Sequence, residues 1–164
     1  MSKEYNVDIE QWDSQRGPSI QESTFAIHRT EARLFQWGEF TSHAGKQLPF
    51  KIECDAFDAE DWDTIAKMVM LYQTKPFSHA EGIPRGGVPF AAAMNKYASG
   101  DDAHMPMICD DIWTTGTSFR EYVKQSHPSA LNGWAYRWVV FARGPMDNMN
   151  QARSLFRLPE VRMV

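Results

Sequence analysis

Between Asp58 and Gln73 the apolar side chains recur at helical spacing. Trp62, Ile65, Ala66 and Val69 follow an i, i+3, i+4, i+7 ladder, which predicts a helix with one core-facing stripe; Gln73 is its polar last rung. In Phe50-Lys51-Ile52-Glu53-Cys54 the apolar positions alternate instead, predicting a half-buried strand. Trp134 to Ala142 is dense in aromatic and β-branched residues and predicts a second strand. Met105 to Cys109 is a short apolar run suited to a buried parallel strand. Phe77 to Glu81 reads as a further short strand, Val88 to Tyr97 as a helix stopped by Gly100, and Ser118 to Gln125 as a helix closed by Pro128. The tail from Ser154 to Val164 reads as an edge strand.

Nearer the N-terminus, Ser19 and Glu22 have capping-box spacing and predict a helix to about Gln36, after which Gly38 and Gly45 bracket a turn. Residues 1–18 are polar, lack periodicity and end in Arg16-Gly17-Pro18. They read as an extension to a single domain over 19–164. Strand and helix alternate through the middle, so the expected fold is α/β: a mostly parallel sheet flanked by helices, Rossmann-like.

Composition narrows the functional classes. A net charge of −4 over 164 residues, with a pI near 5.7, argues against a general nucleic-acid binder, which needs a basic face. No apolar run approaches a membrane span and the first residues lack a signal-peptide core, so a cytoplasmic location is expected. Two cysteines, Cys54 and Cys109, make neither a disulfide framework nor a zinc cage, and His79 and His104 lack metal-ligand spacing.

The chemistry concentrates in Met107 to Thr117. A hydrophobic strand ends in Asp110-Asp111, and the loop Thr114-Thr115-Gly116-Thr117 leads into a helix. Adjacent carboxylates accept hydrogen bonds from neighbouring hydroxyls, and amides at a helix N-terminus cradle a phosphate. The pattern points to a phosphorylated sugar; its plainer alternative is an acidic cap on an ordinary βα loop.

The run Ile108 to Thr117 resembles the phosphoribosyl pyrophosphate (PRPP) motif of type I phosphoribosyltransferases. Three further segments fall in that family's order and are closest to its orotate branch: Phe35 to Phe50, Gly82-Ile83-Pro84-Arg85-Gly86-Gly87-Val88-Pro89, and Val139 to Gly144. The resemblance implies that Asp110 and Asp111 hold the ribose hydroxyls and that Thr114, Thr115, Gly116 and Thr117 enclose the 5′-phosphate. It further implies that Arg85, Gly86 and Gly87 face the pyrophosphate, that Arg143 and Lys51 meet the base, and that His43 and Lys46 join the acids in catalysis. Mg²⁺ would be held through the ligand, with Asp110 and Asp111 as its nearest carboxylates. The implied activity is transfer of ribose 5-phosphate from PRPP to a pyrimidine-like base, in a homodimer. The alternative is a weak or inactive PRPP- or nucleotide-binding module.

Departures from the family pattern keep that alternative in play. The stretch Asn95 to His104 replaces the family's long Lys/Arg-rich lid, His43 stands where a lysine is usual, and Lys51-Ile52 replaces an aromatic pair. Trp113 reads either as packing or as a wall of the ribose site. Trp12, Trp37 and Trp134 exceed what a small core hides, in keeping with a dimer.

Overall fold

Asp58 starts the first helix among the described residues, as the sequence requires. Its carboxylate accepts from the amides of Glu60 and Asp61, and Asp61 returns a bond to the Asp58 amide, closing a capping box. The computed structural model describes residues 33–41, 45, 47–126, 134–143, 146 and 152–158. In chain order the elements are β1 (Phe35–Thr41), β2 (Gln47–Ile52), a 3₁₀ turn (Cys54–Ala56), α1 (Ala59–Met70), β3 (Ala80–Gly82) and α2 (Gly87–Met94). After a second 3₁₀ turn (Asn95–Tyr97) come β4 (Met107–Trp113), α3 (Thr117–Ser126), β5 (Tyr136–Arg143) and β6 (Arg153–Leu158).

The body is a four-stranded sheet in the order β3-β4-β5-β6, parallel throughout. Its strands carry apolar side chains on both faces, as buried parallel strands must. On one face Met107, Cys109, Trp138 and Val140 pack against Trp62, Ile65 and Val69 of α1 and Phe90 and Met94 of α2. On the other, Ile108 and Val139 pack against Phe119 and Val123 of α3. The antiparallel hairpin β1-β2 stands apart from this sheet as a hood. The expected α/β architecture is the observed one.

Several boundaries differ from the sequence expectation. Arg33 and Leu34 are not helical and Phe35-Gln36 begin β1, so the helix expected to reach Gln36 does not; its earlier part, like the extension 1–18 and Trp12, lies outside the described residues. Gly38 sits inside β1, where the register shifts, and not at a turn. β2 covers 47–52 because its ladder with β1 runs from Phe35 opposite Ile52 to Thr41 opposite Gln47, across that shift. α1 ends at Met70, and Gln73 turns inward to accept a 3.0 Å hydrogen bond from the Trp138 indole. The strand expected over 77–81 is the shorter Ala80–Gly82, and the tail strand is Arg153–Leu158, an edge strand as expected.

β4 brings the main correction. Asp110 and Asp111 lie within the strand, which continues through Trp113 because its ladder with β5 runs on to Trp113 opposite Ala142.

Candidate active site

A cleft of about 1010 Å³ opens where β3, β4 and β5 end, under the hood. That is the edge at which open parallel sheets present ligand-binding loops. Among the sequence-expected residues, Lys51, Arg85, Gly86, Asp110, Asp111, Thr114, Thr115, Gly116, Thr117 and Arg143 all line it. Gly87 lies directly behind, at the first turn of α2. His43 and Lys46 lie outside the described residues.

The acid pair occupies the floor. Asp110 is buried and Asp111 half-buried. Asp110 Oδ1 accepts from the Asp111 amide at 3.0 Å, and Asp111 Oδ1 from the Ile112 amide at 2.8 Å. Burial, and then the neighbouring Asp111 charge, push the Asp110 carboxyl up to about 8. Asp111 is also raised, again chiefly by burial, against hydrogen bonds that favour its charged form. A cation or hydroxyl donors reaching the pair would act against this shift, because they favour its charged form.

Two glycines let α2 close onto this floor. A Cβ at Gly86 would fall 2.4 Å from the Asp111 carboxylate, and one at Gly87 2.3 Å from the Cys109 carbonyl oxygen. Any side chain at either position collides with β4, so the start of α2 and the acid pair form one wall. Arg85, exposed at the rim, follows Pro84 through a cis peptide. The loop after β4 is equally tight. Gly116 has φ +72°, and a Cβ there would meet the Trp113 ring at 2.3 Å. Trp113 itself is buried against Phe119, with centroids 5.7 Å apart, and it also lines the cleft, so it packs and walls the site at once. The Thr115 and Thr117 hydroxyls lie 3.0 Å apart beside the N-terminus of α3, and the Arg120 guanidinium donates to Thr117 Oγ1 at 3.2 Å. Amides, hydroxyls and the positive end of a helix converge here, which suits an anion.

The hood supplies the far end. The Arg143 guanidinium stacks over the Phe50 ring at 4.0 Å and donates to the Phe50 carbonyl, joining β5 to β2. Lys51 lines the cleft but pairs with Glu53. Sequence reasoning passed over Glu53 and Cys54. The first was legible, since positions two apart in a strand share a face. The Cys54 thiol is buried, and burial together with the nearby carboxylates, Asp111 foremost, pushes it far up; only the folded topology brings these residues together. His79 bridges Ser78 and Glu81, and His104 meets Ser99, both structural contacts.

No protein-family model matches the sequence, and no curated protein matches it. Solved structures do share its fold. An orotate phosphoribosyltransferase from Aeropyrum pernix matches with a TM-score of 0.59 at 16% identity, over 76% of this chain and 88% of that one. The Mycobacterium tuberculosis H37Rv orotate phosphoribosyltransferase in complex with Fe(III) dicitrate matches at 0.54 and 16% identity, over 76% and 89%. UMP synthase from Leishmania donovani matches at 0.58 and 16% identity over 76% of this chain, which spans about a third (34%) of that protein.

Proposed function

We propose, from the premise that the chain has the type I phosphoribosyltransferase fold, that the cleft binds PRPP and passes its ribose 5-phosphate to a nitrogenous, pyrimidine-like base. One observation carries this reading: the Asp110-Asp111 pair lies between two helix starts, with Gly86 of one seated on the Asp111 carboxylate and Gly116 opening the other. A sugar carrying an anion on each side of its hydroxyls fits that order. The 5′-phosphate would take the Thr114–Thr117 loop, the 2′- and 3′-hydroxyls the two carboxylates, and the pyrophosphate Arg85, Gly86 and Gly87. The base nitrogen would attack C1′ as the bond from C1′ to the pyrophosphate oxygen breaks. The protein's part is to align the partners and to offset charge on the leaving group.

Magnesium fits as an ion shared with the ligand. Among the described residues no group of three His, Cys, Asp or Glu side chains could hold a metal. Two carboxylates alone suit a hard cation coordinated mainly by phosphate oxygens, and the ion's contribution would be to neutralise leaving-group charge. A homodimer, proposed from the resemblance, agrees with the exposure of Phe35, Trp37, Leu71, Tyr72 and Trp134. No helix among the described residues is long and apolar enough to cross a membrane.

A second reading, a PRPP- or nucleotide-binding module without fast turnover, is favoured by one feature. The connection from α2 to β4 cannot reach the cleft. Ser99 and Gly100 bond to the carbonyls of Phe77 and Ser78, ahead of β3, whereas the cleft opens beyond the far end of that strand. No segment from this connection covers the pyrophosphate. Calorimetry with PRPP and Mg²⁺, beside a pyrophosphate-release assay over a panel of bases, tests both. Binding with release supports the transferase, binding alone the module. Unchanged affinity in a folded Asp110→Asn/Asp111→Asn double variant would overturn both.

A further inference from the structure

We infer that the base end of this cleft takes an uncharged ring offering N–H donors and disfavours a ring bearing a carboxylate; this rests on the phosphoribosyl reading above. The state of the two cations at that end points this way. Lys51 would be a ready counter-ion for an anionic base, but its ammonium is already held by Glu53, two residues on and just past the end of β2. Arg143 has its guanidinium turned into the hood, over the Phe50 ring and onto the Phe50 carbonyl.

Burial adds a direction. Glu53 is the more enclosed partner, its side chain 22% exposed against 46% for Lys51. A carboxylate arriving at Lys51 would displace Glu53 or sit beside it, leaving two like charges with one ammonium in a partly desolvated corner. An amide, imide or amino N–H meets the same corner favourably, because a carboxylate paired with lysine keeps lone pairs free to accept. The cleft leaves no spare cation at that end: among its described lining residues Lys51 pairs with Glu53, Arg143 is turned onto Phe50, and Arg85 belongs to the α2 end. Specificity would then arise from a charge placed against the wrong substrate as much as from contacts to the right one.

Nucleotides test this without requiring turnover, because orotidine 5′-monophosphate (OMP) and UMP share ribose and phosphate and differ by one carboxylate. Calorimetry should show the native chain binding UMP about tenfold or more tighter than OMP. Glu53→Gln frees Lys51 at nearly constant shape, so it should narrow that gap about tenfold, with OMP tightening as Lys51 becomes available and UMP weakening as its N–H loses a charged acceptor. OMP binding as tightly as UMP to the native chain, or a ratio untouched by Glu53→Gln, would overturn the inference and leave the phosphoribosyl reading standing. If neither nucleotide nor PRPP binds, that reading falls and takes the inference with it.

Discussion

The side-chain amide of Asn95 takes the place of a strand beside Ala80. It accepts from the Ala80 N–H at 2.7 Å and donates to the Ala80 carbonyl at 2.8 Å, satisfying both outward backbone groups at the start of β3. β3 is an edge strand of three residues, and such edges leave unpaired polar groups unless something covers them. The short link after α2 thus finishes the sheet instead of reaching the ligand cleft.

Asn95→Ala removes two part-buried hydrogen bonds and should cost about 1–3 kcal/mol. Asn95→Asp keeps an acceptor for the Ala80 N–H but sets a second oxygen against the Ala80 carbonyl, so it should be no better than alanine at neutral pH. Urea midpoints at unchanged slope measure both, and an asparagine as replaceable as a surface residue would contradict the edge role.

Asp110 ties stability to pH. With its carboxyl raised to about 8, the folded chain binds more protons than the unfolded one from about pH 4 upward, so stability falls as pH rises through that window. Asp110→Asn removes the penalty. It should melt higher than the native chain at about pH 8, by at least ~2–4 °C, with the difference vanishing near pH 4. On the proposed reading, ribose hydroxyls and Mg²⁺ would both favour the charged form of Asp110 and so draw that proton off. PRPP affinity should therefore rise between about pH 6.5 and about pH 8.5, with proton release visible as a buffer-dependent heat.

Gly116→Ala places a methyl group where the Trp113 ring lies and asks an L residue to hold φ +72°. A loss of about 2 kcal/mol or more is expected, because the strain and the clash add. Gly86→Ala meets carboxylate oxygens rather than a ring and should weaken PRPP binding more than it lowers the melting temperature. Comparing thermal melts with calorimetry separates the two.

Arg143→Lys keeps the charge but loses the planar face that lies on Phe50. Nucleotide affinity, and turnover where it occurs, should fall, while PRPP affinity stays within about threefold because the proposed role of Arg143 is toward the base and not the ribose or phosphates. An equal loss for PRPP would place the arginine elsewhere in the binding scheme.

The helix α1 was legible because its signals are local: a capping acid, a spaced apolar stripe and a lysine in the last turn. β1 was not. Ser19 and Glu22 suggested a helix running to Gln36, whereas the strand character of Phe35–Thr41 comes from pairing with β2, a partner that local spacing does not reveal. Asp110 and Asp111 read as the end of the strand for a related reason, since carboxylates are rare in strands and only the ladder to β5 carries β4 past them. The site's segments were visible as motifs. Their mutual closure, with Gly86 on Asp111 and Arg143 on Phe50, depends on contacts between residues far apart in the chain.

The two cysteines make the native chain a poor target for thiol reagents. Both are buried, and burial holds both thiols far above the range where thiolate forms. Alkylation then proceeds only through opening, so its rate becomes a clock. Cys109 sits in the middle of β4 and keeps time for the sheet as a whole, while Cys54, just beyond β2, keeps time for the hood. Reading the two labelling rates separately, with and without a nucleotide, would measure how far the hood swings independently of the core.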